Sequence, residues 1–156
     1  DAAYALTQPI GFTDFVKKMN EKAKELHMKD TVFSNPAGLH SSLQHTSAFD
    51  LALAGRALLE NPYLSKIVST KEIEIADTQY RIFHKLINVN KLLGEIPGVG
   101  GLKTGYTIES GENLVSLYRR PDGHELIIVV LNSLDRFEDT KAIVTWINQN
   151  VMYVTE

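Results

Sequence analysis

The chain carries a glycine-rich run, Gly98-Val99-Gly100-Gly101-Leu102-Lys103-Thr104-Gly105. Glycines beside a Lys-Thr pair can cradle phosphates at the start of a helix, so a nucleotide loop is the first interpretation to test. A Walker A loop needs glycine directly before its lysine, where this chain has Leu102, and a dinucleotide fingerprint needs glycine where Lys103 stands. The run therefore does not support a nucleotide site.

This run begins the most regular third of the chain. Extended segments are predicted at residues 99–106, 113–119 and 124–131. The last two are separated by Arg-Pro-Asp-Gly at residues 120–123, a sequence suited to a tight turn. Consecutive short strands joined in this way predict an antiparallel meander.

A helix is predicted to follow the strands from Asp135 onward. Trp146 lies within it and is predicted to be a core residue that packs from the helix onto the sheet. The other apolar residues recur at helical spacing: Phe137, Ile143, Val144, Ile147 and Val151. An antiparallel sheet flanked by helices is an α+β fold, which is the class predicted here.

The N-terminal part of the chain is predicted to be mostly helical. An amphipathic pattern spans residues 12–27, and Asp1–Ala5 is interpreted as the end of another helix. A further helix is predicted to begin at Ser47 and to end near Glu60, with Asp50 completing a capping box in place of the usual glutamate.

Between these helices and the strands, the sequence predicts a hairpin. Apolar residues alternate over residues 72–75, and a second apolar segment comes at residues 80–86. The chain is therefore divided into a mostly helical part, residues 1–70, and a part with the hairpin, strands and terminal helix, residues 71–156.

Composition limits the class of protein. The 156 residues are 44% hydrophobic, which suits one domain with a core and makes two domains improbable. The 16 basic and 19 acidic residues give a net charge of -3 without a basic block, which argues against nucleic acid as a partner. There is no cysteine, and the five histidines lack zinc-binding spacing, so no metal or other cofactor is predicted.

The Lys103-Thr104-Gly105 triplet can also be interpreted as a substrate-binding strand. Serine β-lactamases and penicillin-binding proteins carry a Lys-Thr-Gly triplet on a strand that borders the active site. A lysine ammonium attracts an anionic substrate, and a threonine hydroxyl can donate a hydrogen bond to a carboxylate. Gly105 adds no side chain that would block a substrate lying along the strand.

Further segments extend this likeness over nearly the whole chain. In order and at similar spacing, the sequence resembles D-alanyl-D-alanine carboxypeptidases of the S11 peptidase family at Phe33-Ser34-Asn35-Pro36-Ala37-Gly38-Leu39-His40, Thr46-Ser47-Ala48-Phe49-Asp50-Leu51-Ala52, Gly101-Leu102-Lys103-Thr104-Gly105-Tyr106-Thr107 and Gly111-Glu112-Asn113-Leu114-Val115. The resemblance implies a β-lactamase/transpeptidase-like fold.

The resemblance also implies roles for individual residues. The backbone N–H of Tyr106 is expected to form one half of an oxyanion hole. Lys103, Thr104 and Gly105 are expected to bind the substrate, and Arg136 is expected to contact the terminal carboxylate of the peptide. For Arg136, the alternative is a solvated surface position at the start of a helix.

The family's nucleophile motif has no counterpart in these residues. In relatives the nucleophile is the serine of Ser-x-x-Lys, whose lysine can accept the serine proton. No lysine here has serine three positions earlier, and no serine is followed two positions later by asparagine, as the family's Ser-x-Asn motif requires. Because Asp1-Ala2-Ala3 resembles the residues directly after that asparagine in relatives, we expect residues 1–156 to be a single partial domain, the C-terminal part of a longer catalytic domain.

For the longer protein, the resemblance implies a serine-type D-Ala-D-Ala carboxypeptidase. It would trim peptidoglycan stem peptides through an acyl-enzyme, bind β-lactams, and act in cell-wall synthesis and cell shape at the outer face of the cytoplasmic membrane. Residues 1–156 alone would be inactive and would expose a sheet edge, so their partner is expected to be the missing N-terminal part or a second copy. The alternatives are a nucleophile-free module that binds muropeptides or a protein partner, and a fragment of a class A β-lactamase.

Overall fold

The computed structural model describes residues 2–153. Asp1, the first residue of the helix end predicted at Asp1–Ala5, lies outside the described range, as do residues 154–156. The elements follow in the order α1 (Ala2–Ala5), α2 (Phe12–Glu25), α3 (Ala48–Leu59), α4 (Pro62–Ser69), β1 (Glu72–Ala76), β2 (Phe83–Ile87), β3 (Val99–Thr107), β4 (Gly111–Arg119), β5 (Glu125–Ser133) and α5 (Arg136–Asn150). The predicted α+β class is confirmed, whereas helix α4 was not predicted.

Strands β3, β4 and β5 form the predicted antiparallel meander, with β4 in the middle. One face of this sheet packs on α5 through a core that includes Leu114, Tyr118 and Val144. The other face packs on α3 and α4 through a core that includes Leu102 and Val115. Successive side chains on a strand point to opposite faces, so neighbouring residues of β4 contribute to different cores.

Gly98 and Gly101 allow β3 to lie close to its neighbours. Their φ angles of 88° and 71° fall in the left-handed region that favours glycine. A Cβ atom on Gly98 would lie 2.1 Å from the backbone oxygen of Arg119, and one on Gly101 would lie 2.6 Å from the backbone oxygen of Val68. The glycine-rich run therefore serves the close packing of β3 against β4 and α4.

Helix α3 begins after the predicted N-cap, Ser47, whose hydroxyl oxygen accepts a hydrogen bond from the N–H of Asp50 at 3.2 Å. The second hydrogen bond of the predicted capping box, from the backbone N–H of Ser47 to the Asp50 carboxylate, is wrong. The buried Asp50 carboxylate accepts hydrogen bonds from the backbone N–H of Asp30 at 2.8 Å and from the hydroxyl of Thr31 at 2.7 Å. Aspartate is one methylene shorter than the usual glutamate, and here its carboxylate binds a neighbouring segment instead.

Helix α5 begins after Asp135, whose carboxylate accepts hydrogen bonds from the first turn, and the helix covers the sheet. Val144 and Ile147 are buried, whereas Trp146 is 59% exposed, so the prediction that Trp146 is a core residue is wrong. Each residue turns about 100° around a helix, so Trp146 points about 200° away from Val144. The tryptophan therefore lies on the outer side of α5.

Strands β1 and β2 form the predicted hairpin as a separate two-stranded sheet. Ile73 pairs with Leu86, and these side chains are 50% and 48% exposed. At the base of the hairpin, the Asn88 side chain donates hydrogen bonds to the backbone oxygens of Val68 at 3.4 Å and Thr70 at 3.1 Å. The hairpin is therefore fixed at its base, while its strands are open to solvent.

Candidate active site

The Lys-Thr-Gly triplet lies on β3, at the edge of the sheet. β4 pairs with one side of this strand, and no strand among residues 2–153 pairs with the other side. Lys103, Gly105 and Tyr106 are exposed, and Thr104 is half-buried. An edge strand of this kind presents backbone N–H and C=O groups to which an extended ligand can bind.

Arg136 is the first residue of α5, and it is buried, so the alternative of a solvated surface position is wrong. Its guanidinium donates a hydrogen bond to the backbone oxygen of Gly105 at 2.9 Å. Its backbone N–H donates to the carboxylate of Glu112 at 3.1 Å, and its guanidinium carbon lies 4.9 Å from the ring centre of Phe137. Within the described part of the chain, its buried Nε has no hydrogen-bond partner and can still act as a donor.

Lys103 and Arg136 concentrate positive charge beside β3. The Lys103 ammonium donates a hydrogen bond to the backbone oxygen of Thr104. Desolvation of that ammonium and repulsion from Arg136 lower the pKa of Lys103 from the ordinary lysine value of 10.5. The Glu112 carboxylate lies 4.0 Å from Arg136 Nε and partly offsets the charge of the arginine. This distribution of charge favours an anionic ligand.

Opposite β3 lies a loop of residues 33–44, termed the wall loop. Its base is closed by two backbone hydrogen bonds, from the N–H of Val32 to the oxygen of His45 at 3.0 Å and in the reverse direction at 3.2 Å. The Asn20 side chain of α2 donates to the backbone oxygen of Phe33 at 2.8 Å and accepts from its N–H at 2.9 Å. A loop of this length with adjoining ends is an Ω-loop, a type that is frequently functional.

A cleft of about 570 Å³ separates the wall loop from β3. The wall loop contributes residues 36–39 to the lining, and Met19 and Leu51 add apolar surface. All the residues predicted from the resemblance to act on the substrate line this cleft: Lys103, Thr104, Gly105, Tyr106 and Arg136. The structure therefore brings these residues together, and their individual roles remain predictions.

The β3–β4 loop approaches the wall loop at one rim of the cleft. His40 Nδ1 lies 3.8 Å from the carboxylate of Glu109, and both side chains are exposed. A hydrogen bond from its own backbone N–H, together with smaller contributions from Thr107 and His40, lowers the pKa of Glu109 and keeps the carboxylate ionised near neutral pH. An exposed pair at this distance contributes little to holding the rim in place.

The sequence assigned no role to Glu112 or Gln44, although both lie at the site. Glu112 belongs to a segment that resembles the family, but nothing in the sequence indicates that it contacts an arginine 24 positions later. Gln44 lies in an irregular polar loop, and hydrogen bonds in such a loop leave no periodic pattern in the sequence. The resemblance of residues 33–40 to the family was the one signal that pointed to this region.

Residues 2–153 contain no group of three or more histidine, cysteine, aspartate or glutamate side chains arranged to hold a metal ion. In the same range, none of the helices combines the length and the apolar character that a membrane span needs.

Comparison with known proteins relates the chain to one family of peptidases. The model of the peptidase S11 family, described as D-alanyl-D-alanine carboxypeptidase, matches residues 1–135. D-alanyl-D-alanine carboxypeptidase DacF of Bacillus subtilis (strain 168) is 37% identical over 131 residues, which cover 83% of this chain and 33% of that protein. The chain therefore spans about a third of the length of that relative.

Solved structures share the fold. The Streptomyces K15 DD-transpeptidase has a TM-score of 0.86 at 27% identity, covering 93% of this chain and 61% of that chain. Penicillin-Binding Protein D2 from Listeria monocytogenes, in its cefotaxime-bound form, has a TM-score of 0.79 at 32% identity, covering 93% of this chain and 59% of that chain. The predicted transpeptidase-like fold is thereby confirmed.

Proposed function

Because the chain belongs to the peptidase S11 family of D-alanyl-D-alanine carboxypeptidases, we propose that it forms the substrate-binding part of a serine-type D-Ala-D-Ala carboxypeptidase. The longer protein would remove the terminal D-alanine from peptidoglycan stem peptides. Residues 1–156 would supply the Lys-Thr-Gly strand and the wall loop, and the nucleophilic serine would come from a segment outside them.

The main support is that two segments far apart in the sequence meet at one cleft. The wall loop and β3 each resemble the family, and both line the cleft of about 570 Å³ that also contains Arg136. A Lys-Thr-Gly triplet that occurred by chance would have no reason to face the other segment. The volume is within the range of clefts that bind small molecules and peptide ends.

The chemistry of each residue suits its proposed role. The positive charges of Lys103 and Arg136 would attract the terminal carboxylate, and the Thr104 hydroxyl would donate a hydrogen bond to it. The Arg136 side chain is already held by its hydrogen bond to the Gly105 oxygen and lies over the ring of Phe137, so binding would cost little side-chain entropy. The N–H of Tyr106 would stabilise the negative charge that develops on the carbonyl oxygen of the peptide bond under attack.

The proposed reaction passes through an acyl-enzyme. The serine oxygen would attack the carbonyl carbon of the penultimate D-alanine and give up its proton to a neighbouring base. The bond to the terminal D-alanine would break, and its nitrogen would take up a proton as that residue leaves. Water would then cleave the ester, releasing the shortened peptide and restoring the serine. Because this substrate is part of the cell wall, we further propose that the longer protein acts at the outer face of the cytoplasmic membrane.

A fluorescent penicillin tests this function. The product of the complete open reading frame that contains these residues should become covalently labelled, because opening of the β-lactam ring acylates the same serine. Peptide mapping should place the label on a serine outside residues 1–156, and residues 1–156 alone should remain unlabelled. Label on a residue within 1–156, or a folded complete product that never reacts, would overturn the proposed function.

The lack of Ser-x-x-Lys in these residues also favours a second candidate, a nucleophile-free module that binds muropeptides or a protein partner through the same cleft. A complete product that binds a D-Ala-D-Ala-ending muropeptide but is never acylated would favour this module. Rapid release of hydrolysed penicillin would instead favour a class A β-lactamase.

We also propose that the exposed hairpin is covered in the assembled protein. Ile73 and Leu86 are about half exposed, and an isolated two-stranded hairpin is only marginally stable in water. The rest of the longer protein is the proposed cover, with a second copy as the alternative. Sedimentation that shows residues 1–156 alone to be a compact monomer, together with cooperative thermal unfolding of that monomer, would count against either cover.

A further inference from the structure

From the hydrogen bonds inside the wall loop, we propose that Gln44 and Asn35 are positioning residues that hold residues 36–39 as a preformed wall for the bound peptide. The identity of the ligand rests on the proposed function. The fixing of the loop does not, because it is a property of the described residues themselves.

The half-buried Gln44 side chain bonds to two parts of the wall loop. Its oxygen accepts hydrogen bonds from the backbone N–H groups of Ser34 at 3.2 Å and Asn35 at 3.4 Å. Its nitrogen donates to the backbone oxygen of Leu39 at 3.4 Å. Gln44 therefore joins the beginning of the loop to its middle.

The Asn35 side chain holds the segment that lines the cleft. It is buried, and its oxygen accepts hydrogen bonds from the N–H groups of Ala37 at 3.2 Å and Leu39 at 3.0 Å. Its nitrogen donates to the backbone oxygen of Leu39 at 2.9 Å. Both backbone polar groups of Leu39 are thus satisfied by a side chain, as a loop without a regular ladder requires.

These contacts fix the face of the loop that a ligand would meet. The backbone pair between Val32 and His45 and the contacts of Asn20 already close and anchor the loop. Gln44 and Asn35 are therefore not needed to close it. The Asn35 side chain holds Ala37 and Leu39, and Gln44 ties Leu39 to the start of the loop. Both side chains also line the cleft beside residues 36–39, opposite β3. A wall that is fixed before binding reduces the conformational entropy that the ligand must remove.

Hydrogen exchange in the complete protein tests the fixing of the loop directly. In Gln44→Ala, the amides of Ser34 and Asn35 should exchange about tenfold faster, while the amides of Val32 and His45 should change less than about twofold. Gln44→Glu keeps the accepting oxygen and should retain slow exchange at Ser34 and Asn35. Unchanged exchange at Ser34 and Asn35 in Gln44→Ala would overturn the inference.

Gln79→Ala is the matched control, because Gln79 is an exposed residue in the turn of the hairpin. It should leave the exchange of the wall loop unchanged. If Gln79→Ala accelerates exchange in the wall loop as much as Gln44→Ala does, the effect is a general loosening of the fold and the inference is wrong.

Steady-state kinetics of the complete protein tests the role of the wall in binding. With a peptide ending in D-Ala-D-Ala, Gln44→Ala should raise KM about three- to tenfold and change kcat by less than about twofold. Gln44→Glu adds a negative charge to the cleft lining, so for this anionic peptide it should not recover the loss in KM although it keeps the accepting oxygen. A fall in kcat without a change in KM would contradict a positioning role in binding, as would unchanged kinetics combined with faster exchange.

The two experiments separate this inference from the proposed function. If the wild-type protein neither cleaves the peptide nor reacts with penicillin, the proposed function is wrong. The exchange rates at Ser34 and Asn35 then still decide whether Gln44 holds the loop.

Discussion

The two walls of the cleft are built in different ways. β3 is held by backbone pairing with β4 along most of its length, and Gly105 is held in addition by Arg136. The wall loop has a backbone pair at its base and a backbone turn bond from the N–H of Gln44 to the oxygen of Ser41 at 3.0 Å, and side chains hold residues 33–39. The strand wall therefore depends on close backbone packing, whereas the loop wall depends on individual side-chain hydrogen bonds.

The largest expected effect is on stability, and it comes from comparing one glycine of each wall. Gly98, just before β3, and Gly38, in the wall loop, have similar φ angles of 88° and 73°. A Cβ atom on Gly98 would lie 2.1 Å from the backbone oxygen of Arg119, whereas one on Gly38 would have no atom within 4 Å. We expect Gly98→Ala to lower the free energy of unfolding by about 4 kcal/mol and Gly38→Ala by about 1 kcal/mol. Urea denaturation of the complete protein measures both, and equal losses would contradict the difference between the walls.

Arg136 provides the next largest effect, because it connects the strand wall to the proposed carboxylate site. Arg136→Ala removes the guanidinium bond to Gly105 and the positive charge 4.0 Å from the Glu112 carboxylate, so acylation by penicillin should slow about 100-fold. Arg136→Lys should recover only part of this loss, because lysine lacks the planar guanidinium. Stopped-flow rates measure the effect, and Arg81→Ala, at an exposed arginine of the hairpin turn, is the control that should react normally. Normal acylation in Arg136→Ala would remove Arg136 from the site.

A smaller effect is expected when the loop wall loses Asn35. Asn35→Ala leaves the N–H groups of Ala37 and Leu39 without their acceptor and should lower the free energy of unfolding by about 2 kcal/mol. Asn150→Ala removes one exposed hydrogen bond to the backbone oxygen of Trp146 and should cost less than about 0.5 kcal/mol. Thermal or urea unfolding of the complete protein measures both. If the two variants are equally stable, side chains do not hold the loop.

The smallest expected effect is a shift in the titration of Lys103. Desolvation and repulsion from Arg136 lower the pKa of Lys103, so its charge should be lost at a lower pH than that of an ordinary lysine. An anionic ligand should therefore bind more weakly as the pH rises through this pKa. Arg136→Gln removes the repulsion and should move the midpoint to higher pH, as measured by NMR of the Lys103 side chain. A downward movement would show that Arg136 does not repel the ammonium.

Periodic patterns made most of the fold predictable from the sequence. The strands of the meander and the start of α3 at Ser47 follow from local sequence, because alternation and capping are local properties. The errors at Asp50 and Trp146 have a different origin. The Asp50 carboxylate binds Asp30 and Thr31, which lie 20 and 19 positions earlier in the sequence. The orientation of Trp146 depends on which side of α5 faces the sheet.

The sequence predicted individual site residues on the strand wall, whereas for the loop wall it gave only the family resemblance of residues 33–40. Lys103, Thr104 and Gly105 are contiguous, so a short motif could identify the strand wall. The burial of Arg136 and its contact with Glu112 depend on how α5 meets β4, which no local pattern encodes. Gln44 was missed because side-chain hydrogen bonds in an irregular loop leave no period in the sequence.

The most direct test of a two-walled peptide site is a crystal structure of the complete protein acylated by a penicillin. We predict that the acyl group lies between β3 and the wall loop, with its carboxylate within about 3.2 Å of the Thr104 hydroxyl or the Arg136 guanidinium. An acyl group bound outside this cleft, or a carboxylate that contacts neither residue, would contradict the assignment of the site.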